Sequence, residues 1–209
     1  MTGRFRAWLL IALLLVLAAP PRVGRAQQDN AVAYPVTPGP ADCIVERRTT
    51  DELRALASPS TAVAATPTAA IAETPAGSPA DAATIAAIVA TVTLLAACSN
   101  AEDPLAILAI YSDAFVHALL DQSHPTADQI ASLNEPPTPL AATAWATVCG
   151  VWDVRLSDDA HATALVYVRN PHDDLSSGIP RYAFVYERER WRIDAMRSGG
   201  GQAGLPRSC

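Results

Sequence analysis

Within residues 81–196 the hydrophobic period switches once, from helical to strand-like, and does not return. After Asp81, the residues Ile85, Ile88, Val89, Val92 and Leu95 recur at the spacing of one helix face. At the far end, RYAFVYERERWRIDAM alternates apolar and polar residues, as a strand with one buried face requires. Helices followed by an antiparallel meander predict a small α+β domain over residues 81–197.

Asp81 is placed to cap the first of these helices, which ends near Ser99 and Asn100. Asp103 with Pro104 then opens a second helix, whose stripe is Leu105, Leu108, Phe115 and Leu119 with Tyr111 and Ala118 beside it. SHPTADQIASLNEPPTP reads as a loop holding one helical turn around Ile130. The strand TVCGVWDVRLS puts Val148, Trp152, Val154 and Leu156 on one side and Asp153 and Arg155 on the other. A turn at Asp158 and Asp159, the strand HATALVYVRN and the loop NPHDDLSSG follow, and a last hairpin turns across Glu189 and Arg190.

The flanks differ in kind. Arg4 and Arg6 precede an apolar run from Trp8 to Ala19 and small residues at Gly24 and Ala26, which predicts a secretory signal peptide over 1–26, cleaved after Ala26 or else kept as an anchor. Residues 27–57 form an extension with Cys43 and a short helix, since Thr49 and Glu52 have capping-box spacing ahead of Leu53 and Leu56. So short a helix must dock on something. Residues 58–80, rich in Ala, Pro, Thr and Ser and free of aromatics, read as a linker, and 198–209 as a glycine-rich tail ending in Cys209. ATIAAIVATVTLLAACSN imitates a lipoprotein signal at LLAAC but follows a polar stretch, and it reads as a buried helix.

Composition excludes several chemistries. Lysine is absent and all 15 basic residues are arginine, so P-loop, Schiff-base and Ser-x-x-Lys mechanisms lack their ammonium group. Loss of the signal removes Arg4, Arg6, Arg22 and Arg25 and no acid, taking the net charge from −6 to −10. Such a chain has no electrostatic footprint for nucleic acid or anionic lipid. Cys43, Cys98, Cys149 and Cys209 all survive cleavage and read as two disulfides of an exported, secreted or cell-envelope protein. Free thiols or a metal site are the alternatives, but the four are scattered and no C-x-x-C pair exists. Three pairings are open, one of which clips Cys43 and Cys209 onto Cys98 and Cys149.

CSNAEDPLAILAIYSDAFV and YAFVYERERWRIDAM carry a resemblance to the nuclear-transport-factor-2-like, or SnoaL-like, superfamily. The first resembles its Asn-Ala-x-Asp run and following Tyr/Phe-x-Asp-Asp/Ala-Phe helix, the second its closing Phe-x-Tyr/Glu-x-x-Gly-x-Trp-x-Ile-Asp hairpin, although Glu189-Arg190 stand where a turn glycine is usual. The resemblance covers a little over half the chain. It implies a cone of helices packed into a curved antiparallel sheet with a pocket between them, and no single activity, because the superfamily spans isomerases, dehydratases, cyclases, hydrolases and members without a known reaction.

An enzyme on that fold needs a pocket carboxylate or histidine as base. The catalytic candidates are Asp113, His117 and Asp153, with Tyr111, His161, Tyr182 and Asp194 behind them. Asp113 and His117 share a helix face and also read as a surface pair. Tyr111, Phe115, Trp145, Trp152 and Tyr182 are candidate pocket aromatics, or else core. His124 and His172 sit in loops beside prolines, and no metal site or cofactor is expected. Arg155, Arg169, Arg181, Arg188, Arg190 and Arg192 read as the outer face of the sheet, paired with acids across strands. Three functions fit: a non-catalytic exported domain binding a small apolar ligand or a partner protein, an isomerase- or dehydratase-type enzyme, or a module that forms a homodimer through the sheet face.

Overall fold

The computed structural model describes residues 34–58, 77–170, 179–197 and Cys209, all within one unit running from Val32 to Cys209. The expected signal at 1–26, residues 59–76 of the expected linker, His172 and tail residues 198–208 lie outside them. Helices α1 (Thr50–Ala57), α2 (Ala82–Asn100), α3 (Pro104–Ile110), α4 (Asp113–Ser123) and α5 (Ala127–Ser132) accompany strands β1 (Ser78–Pro79), β2 (Thr147–Leu156), β3 (His161–Arg169), β4 (Arg181–Glu187) and β5 (Arg190–Arg197). The strands pair in chain order as one antiparallel sheet, so the fold class is α+β as expected.

α2 is the helix on which the sheet sits. Asp81 caps it by accepting from Thr84 N at 2.7 Å, and no charge interrupts its 19 residues. By length and hydropathy alone it would cross a membrane; here Ile88 and Val92 meet Val148, Val166, Phe184 and Ile193 in the main core. Burying each such side chain contributes about 1.5–3 kcal/mol. Thr91, Thr93 and Ser99 donate their hydroxyls to the carbonyls of Ala87, Val89 and Leu95, which satisfies polar groups on an otherwise apolar helix.

The second helix is broken where one continuous stripe was expected. Tyr111 is extended, with φ −85° and ψ 151°. It bridges Ile193 in parallel, and Ser112 N donates to Ile193 O at 2.9 Å, so these two residues cover the free edge of β5. Restarting the helix at Asp113 changes its phase. Val116 and Leu120 become buried, while Phe115 and Leu119 are half-buried and Ala118 is exposed. A second cluster joins Leu105, Val116, Leu120 and Ile130 to Leu53 of α1, which is the docking site that short helix required. Its capping box forms as expected, with Thr49 and Glu52 exchanging backbone contacts.

β2 also departs from simple alternation. Irregularities between Val148 and Gly150 and between Trp152 and Arg155 bring Val148, Val151 and Val154 to the core side. Trp152 therefore faces away from the helices and lies over Gly150, where a Cβ would strike its indole ring. At the last hairpin the turn residues are Arg188 and Glu189, one position earlier than expected, with φ of 50° and 63°. Two left-handed residues make a type I′ turn, which usually selects Asn-Gly.

Two disulfides form, Cys43 to Cys98 and Cys149 to Cys209, with Cα separations of 4.7 Å and 5.4 Å. Beside the first lies Asn100, fully buried. Its Nδ2 donates to Pro38 O at 2.8 Å and Ala146 O at 3.2 Å, and its Oδ1 accepts from Ala146 N at 2.6 Å. Asn100→Ala strands those groups without partners and is expected to cost about 2–4 kcal/mol in chemical denaturation of the oxidised chain. Glu189→Gly relieves a left-handed side chain and is expected to raise stability by about 0.5–1 kcal/mol in the same assay.

Candidate functional site

Both expected carboxylate bases are held by arginines. Asp113, in the first turn of α4, pairs with Arg48 Nη1 at 2.8 Å and Arg188 Nη2 at 2.7 Å. His117, one turn further on, makes no hydrogen bond with it among the described residues; the arginines occupy the carboxylate instead. Arg48 is itself buried, donating from Nε to Leu108 O at 2.7 Å and from Nη2 to Tyr111 O at 2.8 Å, where the break between α3 and α4 leaves carbonyls unpaired. Asp153 sits at a left-handed position on β2 with φ 49° and binds Arg155 Nε at 2.7 Å and Arg181 Nη2 at 3.0 Å. Asp113 rests against the β4–β5 turn and Asp153 on β2, with β3 lying between β2 and β4, so the two candidates do not share a site.

The remaining candidates have structural partners. Asp194 accepts from Ser112 Oγ at 2.5 Å, and the same oxygen accepts from Phe115 N to cap α4. His161 Nδ1 lies 2.9 Å from Asp158 in an exposed turn, and His124 ends α4 with φ 45°. Of the candidate aromatics, Tyr111 and Phe115 meet edge to face at 5.0 Å, while Tyr182 is in the core beside Phe184. Trp145 donates its indole N–H to Leu140 O at 2.9 Å, and Trp152 lies on the other side of the sheet. None of these five is among the residues that line the cleft between α2 and the β4–β5 hairpin.

One cleft among the described residues was not anticipated. It encloses about 480 Å³ between α2 and the β4–β5 hairpin. Ala83, Thr84, Ala87, Ala90, Thr91 and Leu94 form its helical wall. They recur at three- and four-residue intervals, beside the face that carries Ile88 and Val92 into the core. Ile110, Tyr186, Glu189, Arg190, Trp191 and Arg192 form the rest. Thr91 Oγ1, 3.1 Å from Trp191 O, joins the two walls.

Arg192 and Arg181 lie beside the cross-strand acids Glu187 and Asp153 but are buried, being only 3% and 7% exposed. Arg192 lies under the Tyr111–Ser112 cover of β5, with Nη1 3.4 Å from Tyr111 O and Nε 3.4 Å from Glu187 Oε1. Burial first, and then the neighbouring Arg190, lowers its pKa from the usual arginine value. The alternation of RWRID shows that Arg190 and Arg192 point away from Trp191 and Ile193, but no local signal says what covers them.

No protein-family model, curated protein or solved structure matches the chain.

Burial pushes the Tyr34 phenol up to about 12 and raises Tyr111 as well. Both favour the neutral phenol in the folded state, so their contribution is complete below the unfolded pKa near 10.0 and is lost as pH rises through the folded value. Phenolate absorbance is expected to show a late phase near pH 12 that Tyr34→Phe removes, with denaturation midpoints falling from pH 10 upward.

Proposed function

We propose that this is an exported, disulfide-stabilised binding domain of the nuclear-transport-factor-2-like type, carrying a small apolar ligand in the α2–β5 cleft and catalysing no reaction. The observation that carries this reading is the cleft wall itself. Alanines 83, 87 and 90 with Leu94, Ile110 and Trp191 offer an apolar surface of small-molecule size. Two disulfides fit an oxidising compartment outside the cytosol. Helices ahead of an antiparallel meander support the superfamily reading. The expected interior pocket is occupied by Ile88, Val92, Phe184 and Ile193, which moves the binding surface to the cleft at the hairpin.

The isomerase or dehydratase reading needs a carboxylate or histidine free to take a substrate proton, and His117 is not among the residues that line the cleft. Asp113 and Asp153 are each engaged by two guanidinium groups, so a substrate would first have to displace an arginine. Native mass spectrometry of the protein exported by its own cells tests the binding reading. One non-covalent mass per chain is expected, and Ala87→Trp, which fills the cleft, should abolish it. A mass retained in that variant, or an apo protein in both, sinks the proposal.

A further inference from the structure

The two disulfides differ in access, and access decides which of them a thiol opens. They join residues 55 and 60 apart in sequence, so loop entropy hardly distinguishes them. Thiol–disulfide exchange needs a thiolate to reach one of the two sulfurs. Cys98 is fully buried in the main core, and Cys43 packs against that core. Two residues on, Asn100 ties the same end of α2 to Pro38 and Ala146. Opening a path to Cys43–Cys98 therefore means undoing buried packing and hydrogen bonds. The second bridge has one end at the surface, because Cys209 is exposed while its partner Cys149 is 9% exposed.

The surroundings of Cys149 also suit an opened bridge. Its Sγ lies 3.6 Å from Thr147 O, so a thiol released there has an acceptor in place. β2 has other ties at this point. Val36 and Val148 exchange both backbone hydrogen bonds, at 3.0 and 2.8 Å, and the hydroxyls of Thr37 and Thr147 meet at 2.9 Å. Val148 and Gly150, on either side of Cys149, pair with Val168 and Tyr167 of β3.

We propose that Cys149–Cys209 is a thiol-exchange site, opened at Cys209 Sγ by a dithiol reductant while the fold and the Cys43–Cys98 bridge stay intact. One thiolate of the reductant attacks Cys209 Sγ. The new S–S bond forms as the Cys149–Cys209 bond breaks, and Cys149 leaves as a thiolate that takes up a proton. The second thiolate of the reductant then attacks the reductant's own sulfur in the mixed disulfide, closing its disulfide and releasing Cys209 to be protonated. The bridge gains two electrons and two protons, and the dithiol loses them. A monothiol taken only to the first step stays on Cys209 as a mixed disulfide. This chemistry is independent of what the cleft binds.

Timed reduction of the oxidised full chain with dithiothreitol, without denaturant, tests it. Samples are quenched in acid, labelled with N-ethylmaleimide after unfolding and mapped by peptide mass. Cys149 and Cys209 are expected to become labelled together, at least about tenfold faster than Cys43 and Cys98, because a surface bridge reacts without the opening that a core bridge requires. Tryptophan emission should remain that of the folded chain while only the first pair is labelled. With glutathione in place of the dithiol, early samples should carry the tripeptide on Cys209 and a free thiol on Cys149. Equal rates for the two pairs, earlier labelling of Cys43 and Cys98, protection of all four until the chain unfolds, or glutathione on Cys149 overturns the assignment. The double variant Cys149→Ala with Cys209→Ala should fold, keep Cys43–Cys98 and resist the same treatment. A variant that fails to fold, or that loses Cys43–Cys98 at the rate of the fast pair, overturns it as well.

Discussion

The C-terminal end of α2 is the constraint on which the rest of the structure depends. Within three residues it carries Cys98, bonded to Cys43, and Asn100, whose amide serves Pro38 and Ala146 and whose backbone carbonyl accepts from Leu140. Three stretches far apart in sequence are thereby held at one point: the extension before α1, the approach to β2, and the turn into α3. An apolar residue at position 100 would pack but satisfy none of these backbone groups. The disulfide alone would restrict the unfolded chain without specifying register. The two act on different terms, one on the entropy of the unfolded state and one on the pairing of buried polar groups.

A chain without lysine relies on guanidinium groups for its permanent side-chain positive charge, and among the described residues three of them are buried, Arg48, Arg181 and Arg192. The planar fork allows one side chain to serve several acceptors at once, which an ammonium on a flexible stem does less well. Arg48 serves Leu108 O, Tyr111 O and the Asp113 carboxylate together. The acids that look like catalytic bases in the sequence are consequently the counter-charges of these arginines. These ion pairs tie α4 to Arg48 and to the β4–β5 turn, and the irregular stretch of β2 to β4.

Much of the architecture was legible because its signals are local. Asp81, Asp103 and the Thr49–Glu52 pair each cap the helix they announce, and the alternation around Trp191 and Ile193 marks the hairpin core. The break at Tyr111–Ser112 was not legible, because no glycine or proline interrupts an apolar pattern that runs past it. Ser112 is the retrospective sign, a good N-cap in what looked like mid-helix. The irregularities in β2 reversed the expected facing of Trp152, and only Gly150 hints at them. The cleft escaped because alanine and threonine at helical spacing carry little hydrophobic signal. Its arginines escaped because burial on a sheet face depends on the segment that covers it.

That cover also explains why the cleft lies where it does. β1 is only two residues long and contains Pro79, so that edge of the sheet offers little to pair with. β5 is long and would be a ready template for another strand, and Tyr111–Ser112 closes part of it by bridging Ile193. The closure stops short of the hairpin tip, beyond which Arg190 continues the edge. There the turn adopts two left-handed residues without a glycine, and the Arg188 side chain reaches back to Asp113. Strained backbone of this kind persists where surrounding contacts over-determine it. A regular Asn-Gly turn would close the hairpin at lower conformational cost but would lose the Arg188 tie to α4 and the Glu189 carboxylate in the cleft lining. The strain is therefore coupled to the Arg188 tie between the hairpin and α4, and the least regular part of the fold borders the cleft.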